Sequence, residues 1–121
     1  MKRILIVDDE IGVRELLEHT LMGKDVEILK AGTGEEAVSL ARQFKPSMIL
    51  MDIMMPGAID GLEATHILKA DSRTQDAKVI ILTSKDSIQN IEEAMNRGAD
   101  AYLSKPFSPL ELLHKIDEIL V

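Results

Sequence analysis

The chain has 121 residues, of which 45% are hydrophobic, so a single domain can bury a core without disulfides or a structural metal. It contains no cysteine, which excludes a disulfide framework, a thiolate metal site and a thiol nucleophile. The net charge of −7, the scattered Lys and Arg residues and the scarcity of aromatic residues argue against direct binding to nucleic acid.

The start of the chain does not have the pattern of a secretory signal. Three residues with two basic side chains precede an apolar run over 4–7, which stops at Asp8. This run is too short for the apolar part of a signal peptide, and no other run in the sequence is long enough to cross a membrane. We therefore expect one domain over residues 1–121, working in the cytoplasm.

Short apolar runs alternate with amphipathic stretches along the whole chain. The runs predict five β-strands, at 4–7, 26–29, 48–51, 79–82 and 101–103. Apolar residues at three- and four-residue spacing predict a helix after each strand, at 13–21, 37–44, 62–70, 88–95 and 112–120. The pairs Thr33/Glu36 and Ser108/Glu111 have the spacing of capping boxes and predict two of the helix starts.

The strict alternation of strands and helices predicts right-handed crossovers and a parallel sheet with helices on both faces. The first, third and fourth strands are apolar throughout, as in strands covered on both faces, whereas the second contains Glu27 and the fifth is short. The second and fifth strands are therefore expected at the edges. The predicted fold is a doubly wound α/β domain, a three-layer (βα)5 sandwich with strand order 2-1-3-4-5. Such sheets bind ligands beyond the carboxyl ends of the strands, where the order reverses.

Polar residues follow the predicted strands at that end of the sheet. They are Asp8 and Asp9 after the first strand, Asp52 after the third, Thr83 after the fourth and Lys105 after the fifth. Three converging carboxylates would repel one another unless a cation lies among them, and oxygen ligands without His or Cys favour Mg²⁺ or Mn²⁺. A lysine ammonium and a threonine hydroxyl beside that ion suit a phosphoryl group. Asp52 is therefore predicted to be the nucleophile that accepts it.

Each of these residues also has an ordinary structural explanation. An aspartate between a strand and a helix, such as Asp8 or Asp9, is commonly a helix N-cap. Thr83 is compatible with a turn, and Lys105 next to Pro106 is compatible with a surface loop. The convergence of these residue types at four strand ends favours a phosphoryl site over independent capping.

Four segments of the sequence resemble the receiver domain of two-component response regulators, and the resemblance extends over the whole chain. The segments are Ile-Leu-Ile-Val-Asp-Asp-Glu at 4–10, Met-Asp-Ile-Met-Met-Pro at 51–56, Ile-Leu-Thr-Ser at 81–84 and Gly-Ala-Asp-Ala-Tyr-Leu-Ser-Lys-Pro-Phe at 98–107. The resemblance implies a flavodoxin-like fold. It also implies a phosphorelay function in which a sensor histidine kinase or a phosphotransfer protein donates the phosphoryl group.

The resemblance implies a role for each acidic residue of the predicted site. Asp52 would be the phosphoacceptor, Asp9 and Asp52 would bind Mg²⁺ through their carboxylates, and Asp8 would act partly through a metal-bound water. Met54 would offer its backbone carbonyl to the ion. Its side chain would affect how quickly the acyl phosphate forms and is lost.

The resemblance also implies a switch around the phosphoryl group. Lys105, whose bond to Pro106 is usually cis in the family, would pair with the phosphoryl oxygens. Thr83 would move to hydrogen-bond the phosphoryl group, and Tyr102 would turn inward. These movements would reshape the face formed by the fourth helix, the fifth strand and the fifth helix, which would bind a downstream protein. For Tyr102 the alternative is an ordinary aromatic residue of an edge strand.

The sequence departs from the family pattern in two places. Three residues separate Pro56 from Asp60, where members commonly have two, so the shape of this loop is not predicted. Ala101 stands where members that dimerise through the output face before binding DNA carry an acidic residue, and their arginine late in the last helix is also missing. We therefore expect a monomer or weak dimer, which is either a stand-alone receiver or an excised domain.

Two other functions fit parts of the same pattern. A metal-dependent phosphohydrolase that works through an aspartyl phosphate usually carries an acid two residues after the nucleophile, where this chain has Met54. An adaptor that keeps the fold without phosphorylation would be expected to lose a pocket residue, and all five are present. The sequence therefore favours a signalling phosphoacceptor, which assists its own phosphorylation and slow dephosphorylation, over an enzyme.

Overall fold

The structure is a computed structural model that describes residues 2–84 and 88–120; Met1 and Val121, the ends of the predicted domain, lie outside these residues. Strands and helices alternate as the sequence predicts. In the described part of the chain, no helix has both the length and the apolar character needed to span a bilayer. The elements are β1 (Lys2–Val7), α1 (Ile11–Leu21), β2 (Val26–Ala31), α2 (Gly34–Phe44), β3 (Met48–Asp52), α3 (Gly61–Ala70), β4 (Lys78–Ser84), α4 (Ile88–Asn96), β5 (Ala101–Lys105) and α5 (Pro109–Leu120).

The five strands form one parallel sheet of order β2-β1-β3-β4-β5, with β2 and β5 at its edges as predicted. Helices cover both faces because the central strands carry apolar side chains on both sides. In β1, Ile4 and Ile6 pack in the core beneath α1 and α5, whereas Leu5 and Val7 pack in the core beneath α2, α3 and α4. The doubly wound, three-layer (βα)5 fold is therefore confirmed.

The strands extend further toward their carboxyl ends than the apolar runs do. Thr83 lies inside β4, Lys105 is the last residue of β5, and Asp52 is the last residue of β3. The predicted positions of these three residues just past the strands are therefore wrong. The reason is that backbone pairing continues where the side chains become polar, as between Ser84 and Lys105.

Side chains cap α2 and α5 at the predicted starts. Thr33 Oγ1 accepts a hydrogen bond from the N–H of Glu36 at 3.1 Å, while Glu36 Oε1 accepts one from the N–H of Gly32 at 2.7 Å. Ser108 and Glu111 form the reciprocal pair, at 3.1 and 3.3 Å. Both capping boxes are confirmed, with the difference that Glu36 reaches one residue further back than the usual pattern.

Gly61 allows α3 to begin directly against the end of β3. Its N–H donates to the carbonyl oxygen of Ile53 at 2.9 Å, which brings the start of the helix over the backbone of Asp52. A Cβ atom at residue 61 would overlap the carbonyl oxygen of Asp52 and would lie 2.8 Å from the Cα of Ile53. Because these are backbone atoms, they can give way only if the strand that carries Asp52 moves.

The substitution Gly61→Ala is expected to lower the free energy of unfolding by about 2 kcal/mol or more, because it overpacks two backbone segments. The matched control is Gly12→Ala in α1, where an added Cβ meets no atom within 4 Å. The control is expected to be neutral or to stabilise by up to about 1 kcal/mol, since alanine favours the helix. Urea unfolding of both variants measures the difference, and equal midpoints would contradict the packing explanation.

Candidate functional site

Four strand ends bring the predicted residues together at one rim of the sheet. Asp8 follows β1, Asp52 ends β3, Thr83 lies in β4 and Lys105 ends β5. Lys105 Nζ lies 3.0 Å from Asp8 Oδ2 and 3.3 Å from Asp52 Oδ1. Two carboxylates that lie 97 and 53 positions from Lys105 in the sequence therefore share its ammonium group.

Asp8 is fully buried and both of its carboxylate oxygens have partners. Oδ2 accepts the hydrogen bond from Lys105, and Oδ1 accepts one from the N–H of Glu10 at 3.0 Å. The N-cap of α1 is Glu10, whose side chain makes no capping hydrogen bond. The interpretation of Asp8 or Asp9 as the N-cap of the first helix is therefore wrong, because the helix begins later in the chain.

A cavity of about 250 Å³ opens beside Asp52, and we call it the Asp52 cavity. Asp52 and Thr83 are nearly buried, with 8% and 3% of their surface exposed. The fully buried Asp8 does not line the cavity but accepts a hydrogen bond from Lys105, which does. The cavity is lined by Asp9, Glu10, Asp52, Ile53, Met54, Leu82, Thr83, Ser84, Asn90 and Lys105.

Three consecutive acids at the end of β1 form a group of oxygen donors. Carboxylate oxygens of Asp8, Asp9 and Glu10 lie within 4.8 Å of one another. Glu10 had no predicted role, although its position directly after the two aspartates was the signal that would have found it. Carboxylate oxygens at this spacing suit a hard divalent cation such as Mg²⁺ or Mn²⁺.

The charges around Asp52 change its acidity. Burial, followed by the nearby carboxylate of Asp8, raises the pKa of Asp52 from 3.8 to about 6, although the ammonium group of Lys105 opposes the change and Asp9 adds to it. Burial lowers the pKa of Lys105, but the hydrogen bond to Asp8 and the charges of Asp52 and Asp8 outweigh it, so this pKa lies above its usual value. Lys105 therefore carries a positive charge at neutral pH.

Two further residues contact the site and were not predicted. Arg14 on α1 donates a hydrogen bond from its guanidinium to the backbone carbonyl of Asp8 at 2.6 Å. Asn90, near the start of α4, lies on the wall of the Asp52 cavity. Neither position carries a signal in a single sequence, because an arginine or an asparagine on a helix is usually a surface residue.

The remaining predicted residues lie around the cavity or on its neighbouring strand. Met54 is 73% exposed on the cavity wall, and Tyr102 is 44% exposed on the edge strand β5. The peptide bond between Lys105 and Pro106 is cis, as the resemblance implies.

The loop between β3 and α3, whose shape the sequence did not predict, is held by side chains on both sides. Glu35 on α2 accepts a hydrogen bond from the N–H of Ile59 at 2.9 Å. Asp60 is the N-cap of α3, because its Oδ1 accepts a hydrogen bond from the N–H of Glu63 at 2.9 Å. Gly57 has a φ of 109°, which favours glycine at the turn.

Comparison with known sequences identifies relatives over nearly the whole chain. A sequence model of the response regulator receiver domain matches residues 4–117. The protein PilH of Pseudomonas aeruginosa is 42% identical over 120 residues, which are 99% of this chain and 98% of PilH. The phosphate regulon transcriptional regulatory protein PhoB of the same species is 40% identical over 119 residues, 98% of this chain and 52% of PhoB. The DNA-binding response regulator MtrA of Mycobacterium tuberculosis is 33% identical over 115 residues, 95% of this chain. The chain thus spans about half the length of PhoB and MtrA, at 52% and 49%.

Solved structures show the same relationship. The chemotaxis protein CheY4 of Vibrio cholerae has a TM-score of 0.90 at 30% identity, over 98% of each chain. The receiver domain of the sensor histidine kinase PA1611 from Pseudomonas aeruginosa has a TM-score of 0.89 at 27% identity, over 98% of this chain and 97% of that one. That structure has a magnesium ion coordinated in its active site cleft. With its flavodoxin-like fold and matching sequence, this chain belongs to the response regulator receiver domain family.

Proposed function

We propose that this chain is the phosphoacceptor switch of a two-component phosphorelay, in which Asp52 takes a phosphoryl group from a phosphohistidine. The observation that carries the proposal is the contact of Lys105 Nζ with Asp8 Oδ2 at 3.0 Å and with Asp52 Oδ1 at 3.3 Å. This contact holds a positive charge beside a carboxylate that opens into a cavity. The family supports a sensor histidine kinase or a phosphotransfer protein as the donor.

Transfer to Asp52 needs a nucleophile, a leaving group and a way to disperse charge. A carboxylate oxygen of Asp52 forms the new bond to phosphorus as the nitrogen–phosphorus bond of the phosphohistidine breaks, and the bonding pair leaves with the imidazole nitrogen. Lys105 stabilises the charge on the phosphoryl oxygens, because its ammonium group already lies next to Asp52. The product is an acyl phosphate with a charge of about −1.5 to −2 at neutral pH.

The residues around the Asp52 cavity fit a Mg²⁺ or Mn²⁺ ion. The carboxylates of Asp9 and Asp52 and the backbone carbonyl of Met54 would hold it, with the buried Asp8 acting partly through a metal-bound water, and all are the hard oxygen donors that such ions prefer. The acids around the cavity outnumber Lys105, and this surplus of negative charge favours a cation. When bound, the ion would neutralise part of the phosphoryl charge. The magnesium ion in the related PA1611 receiver domain supports this choice.

The two rival functions fit the geometry less well. Met54 stands two residues after Asp52 on the cavity wall, where a phosphohydrolase would carry an acid, and a thioether cannot exchange a proton. Slow loss of the phosphoryl group is therefore expected rather than rapid turnover, as in a signalling phosphoacceptor and not an enzyme. A binding-only adaptor would have no need to keep Lys105 between two buried carboxylates.

We propose that Thr83 and Tyr102 pass the signal to the face formed by α4, β5 and α5. Among the residues that the structure describes, the hydroxyl of Thr83 donates one hydrogen bond, a long one of 3.4 Å to the carbonyl oxygen of Ser84, so a phosphoryl oxygen is a better acceptor. Movement of Thr83 would leave space behind it for Tyr102, which is 44% exposed on β5. A downstream protein would then bind the rearranged face.

We further propose that the domain works in the cytoplasm as a monomer or weak dimer without direct contact to nucleic acid. The absence of cysteine fits a reducing compartment, and the net charge of −7 opposes binding to a phosphate backbone. Ala101 on β5 cannot form the ion pairs that an acidic residue would offer to a second copy across the output face.

Incubation with a small phosphodonor and Mg²⁺ is expected to add one phosphoryl group, which intact-mass spectrometry detects. Asp52→Asn is expected to abolish the gain because an amide is not a nucleophile here, and the exposed Asp25→Asn is expected to behave as wild type. Rapid release of inorganic phosphate would instead identify a hydrolase. No uptake by the wild type would identify an adaptor and refute the proposed function.

Addition of Mg²⁺ is expected to raise the melting temperature, because the ion binds the folded chain. At ten times the dissociation constant the effect is about 1.4 kcal/mol, or roughly 4 to 8 °C. Asp9→Ala removes a ligand and is expected to abolish the shift, while Asp25→Ala serves as the matched loss of one acidic charge. A shift of unchanged size in Asp9→Ala would contradict the assignment of Asp9.

Asp52→Asn is expected to stabilise the chain in the absence of divalent cations, because the folded state holds an ionised Asp52 at a cost. The pKa of Asp52 is about 6 in the folded state, against an ordinary value of 3.8. The loss of folding stability caused by the ionised Asp52 is thus fully present above pH 6 and disappears as the pH falls to 3.8. The variant is expected to gain about 1 to 3 kcal/mol at neutral pH and much less in acid.

Denaturant unfolding in the presence of a chelator, once at neutral pH and once in acid, measures this gain in stability. Asp25→Asn is the control for an exposed carboxylate. An Asp52→Asn variant that is no more stable than the wild type at neutral pH would show that Lys105 outweighs burial.

A further inference from the structure

Asn90 adds to the Asp52 cavity a polar side chain that the proposed phosphotransfer does not use. It is the third residue of α4 and half-buried, with its side chain on the cavity wall. Within residues 2–84 and 88–120, no hydrogen bond engages its carboxamide. Helix capping does not explain it, because α4 begins two residues earlier, at Ile88. The amide is therefore available to a molecule inside the cavity.

Most of the other polar groups on the wall already have a partner or a role in the proposed phosphotransfer, Thr83 as a donor to the phosphoryl group. Lys105 is bound to Asp52, and Asp9 and Glu10 belong to the acidic group at the end of β1. Met54 is 73% exposed on the same wall, and its thioether is a weak hydrogen-bond acceptor. A carboxamide offers one strong acceptor oxygen and two donor N–H groups on the same short side chain.

Hydrolysis of an aspartyl phosphate restricts where water can enter. The attacking oxygen must approach phosphorus in line with the bond to Asp52, from the opposite side. Asp52 lines the cavity and is otherwise buried, with 8% of its surface exposed, so the phosphoryl group extends into the cavity and water arrives from the solvent side. A water in that position needs an acceptor on the cavity wall that holds one of its hydrogens.

We propose that the carboxamide oxygen of Asn90 accepts a hydrogen bond from the water that hydrolyses phosphorylated Asp52, and that Asn90 thereby sets the lifetime of the switched state. This inference rests on the proposed phosphorylation of Asp52. The water oxygen forms a bond to phosphorus as the bond between phosphorus and the Asp52 oxygen breaks. The electron pair returns to the Asp52 carboxylate, and the proton lost by the water ends on the released phosphate. Asn90 orients the water and takes no proton, because an amide is not a base.

The test compares phosphoryl lifetimes in the full chain. Wild type, Asn90→Leu, Asn90→Asp and Gln89→Leu are phosphorylated with a small phosphodonor and Mg²⁺, the donor is removed, and intact-mass spectrometry follows the loss. Asn90→Leu is expected to lengthen the half-life roughly three- to tenfold, the effect of losing one hydrogen bond in the transition state. Gln89 is an exposed neighbour on α4 that does not line the cavity, so Gln89→Leu is expected to leave the half-life unchanged.

Asn90→Asp keeps an acceptor oxygen at the same distance from the backbone and is expected to hold the half-life at or below the wild-type value. The Mg²⁺-dependent rise in melting temperature is expected to be the same in the wild type and in Asn90→Leu. An unchanged rise shows that the metal site is intact, so that the longer half-life comes from loss of the contact to water. Asn90→Ala serves as the second variant if leucine disturbs α4.

The failures of the two proposals are distinguishable. A wild type that takes up no phosphoryl group would overturn the proposed function and this inference with it. Uptake on Asp52 followed by the same half-life in wild type, Asn90→Leu and Asn90→Ala would overturn the inference alone. An equal lengthening in Asn90→Asp and Asn90→Leu would also overturn it, because the acceptor oxygen would then be irrelevant.

Discussion

The contact of Lys105 with Asp8 and Asp52 is the interaction on which the rest of the site depends. A carboxylate as fully buried as Asp8 would cost several kcal/mol without partners, and its two oxygens are satisfied by Lys105 and by the N–H of Glu10. Asp8 in turn holds the ammonium group beside Asp52, where a phosphoryl group would need it. The lysine does not cancel the charge of the site, because Asp9 and Glu10 remain, and the surplus favours a divalent cation.

The parallel sheet makes this contact possible. All five residues of β3 are buried, so Asp52 is carried by the fully buried central strand, and helices cover the faces of the sheet but leave its rim open. At Asp52, the burial that forms the reactive site also lowers the stability of the fold. The burial that raises the pKa of Asp52 to about 6 also makes its ionised form unfavourable in the folded state. Both proposals, phosphorylation and a water held by Asn90, depend on that open rim.

The β3–α3 loop shows how the chain accepts an additional residue next to the site. The N–H of Gly61 bonds to the carbonyl of Ile53 at one end, and Glu35 binds the N–H of Ile59 near the other. The segment between these anchors absorbs the extra length through a left-handed Gly57, with a φ of 109°. The end of β3, and with it Asp52, therefore keeps its place in the sheet.

The sequence by itself determined the alternation of strands and helices, the two edge strands, the capping boxes and the residue types at the rim. These features are encoded within a few residues, by apolar periodicity or by pairs such as Ser108 and Glu111, so they can be recognised without knowledge of the fold. The tertiary structure decided that Asp8 is a buried partner of Lys105 rather than a helix cap, and it alone placed Arg14 and Asn90 at the site. Such contacts join side chains as far as 97 positions apart, and only the packing of sheet and helices determines which of them meet.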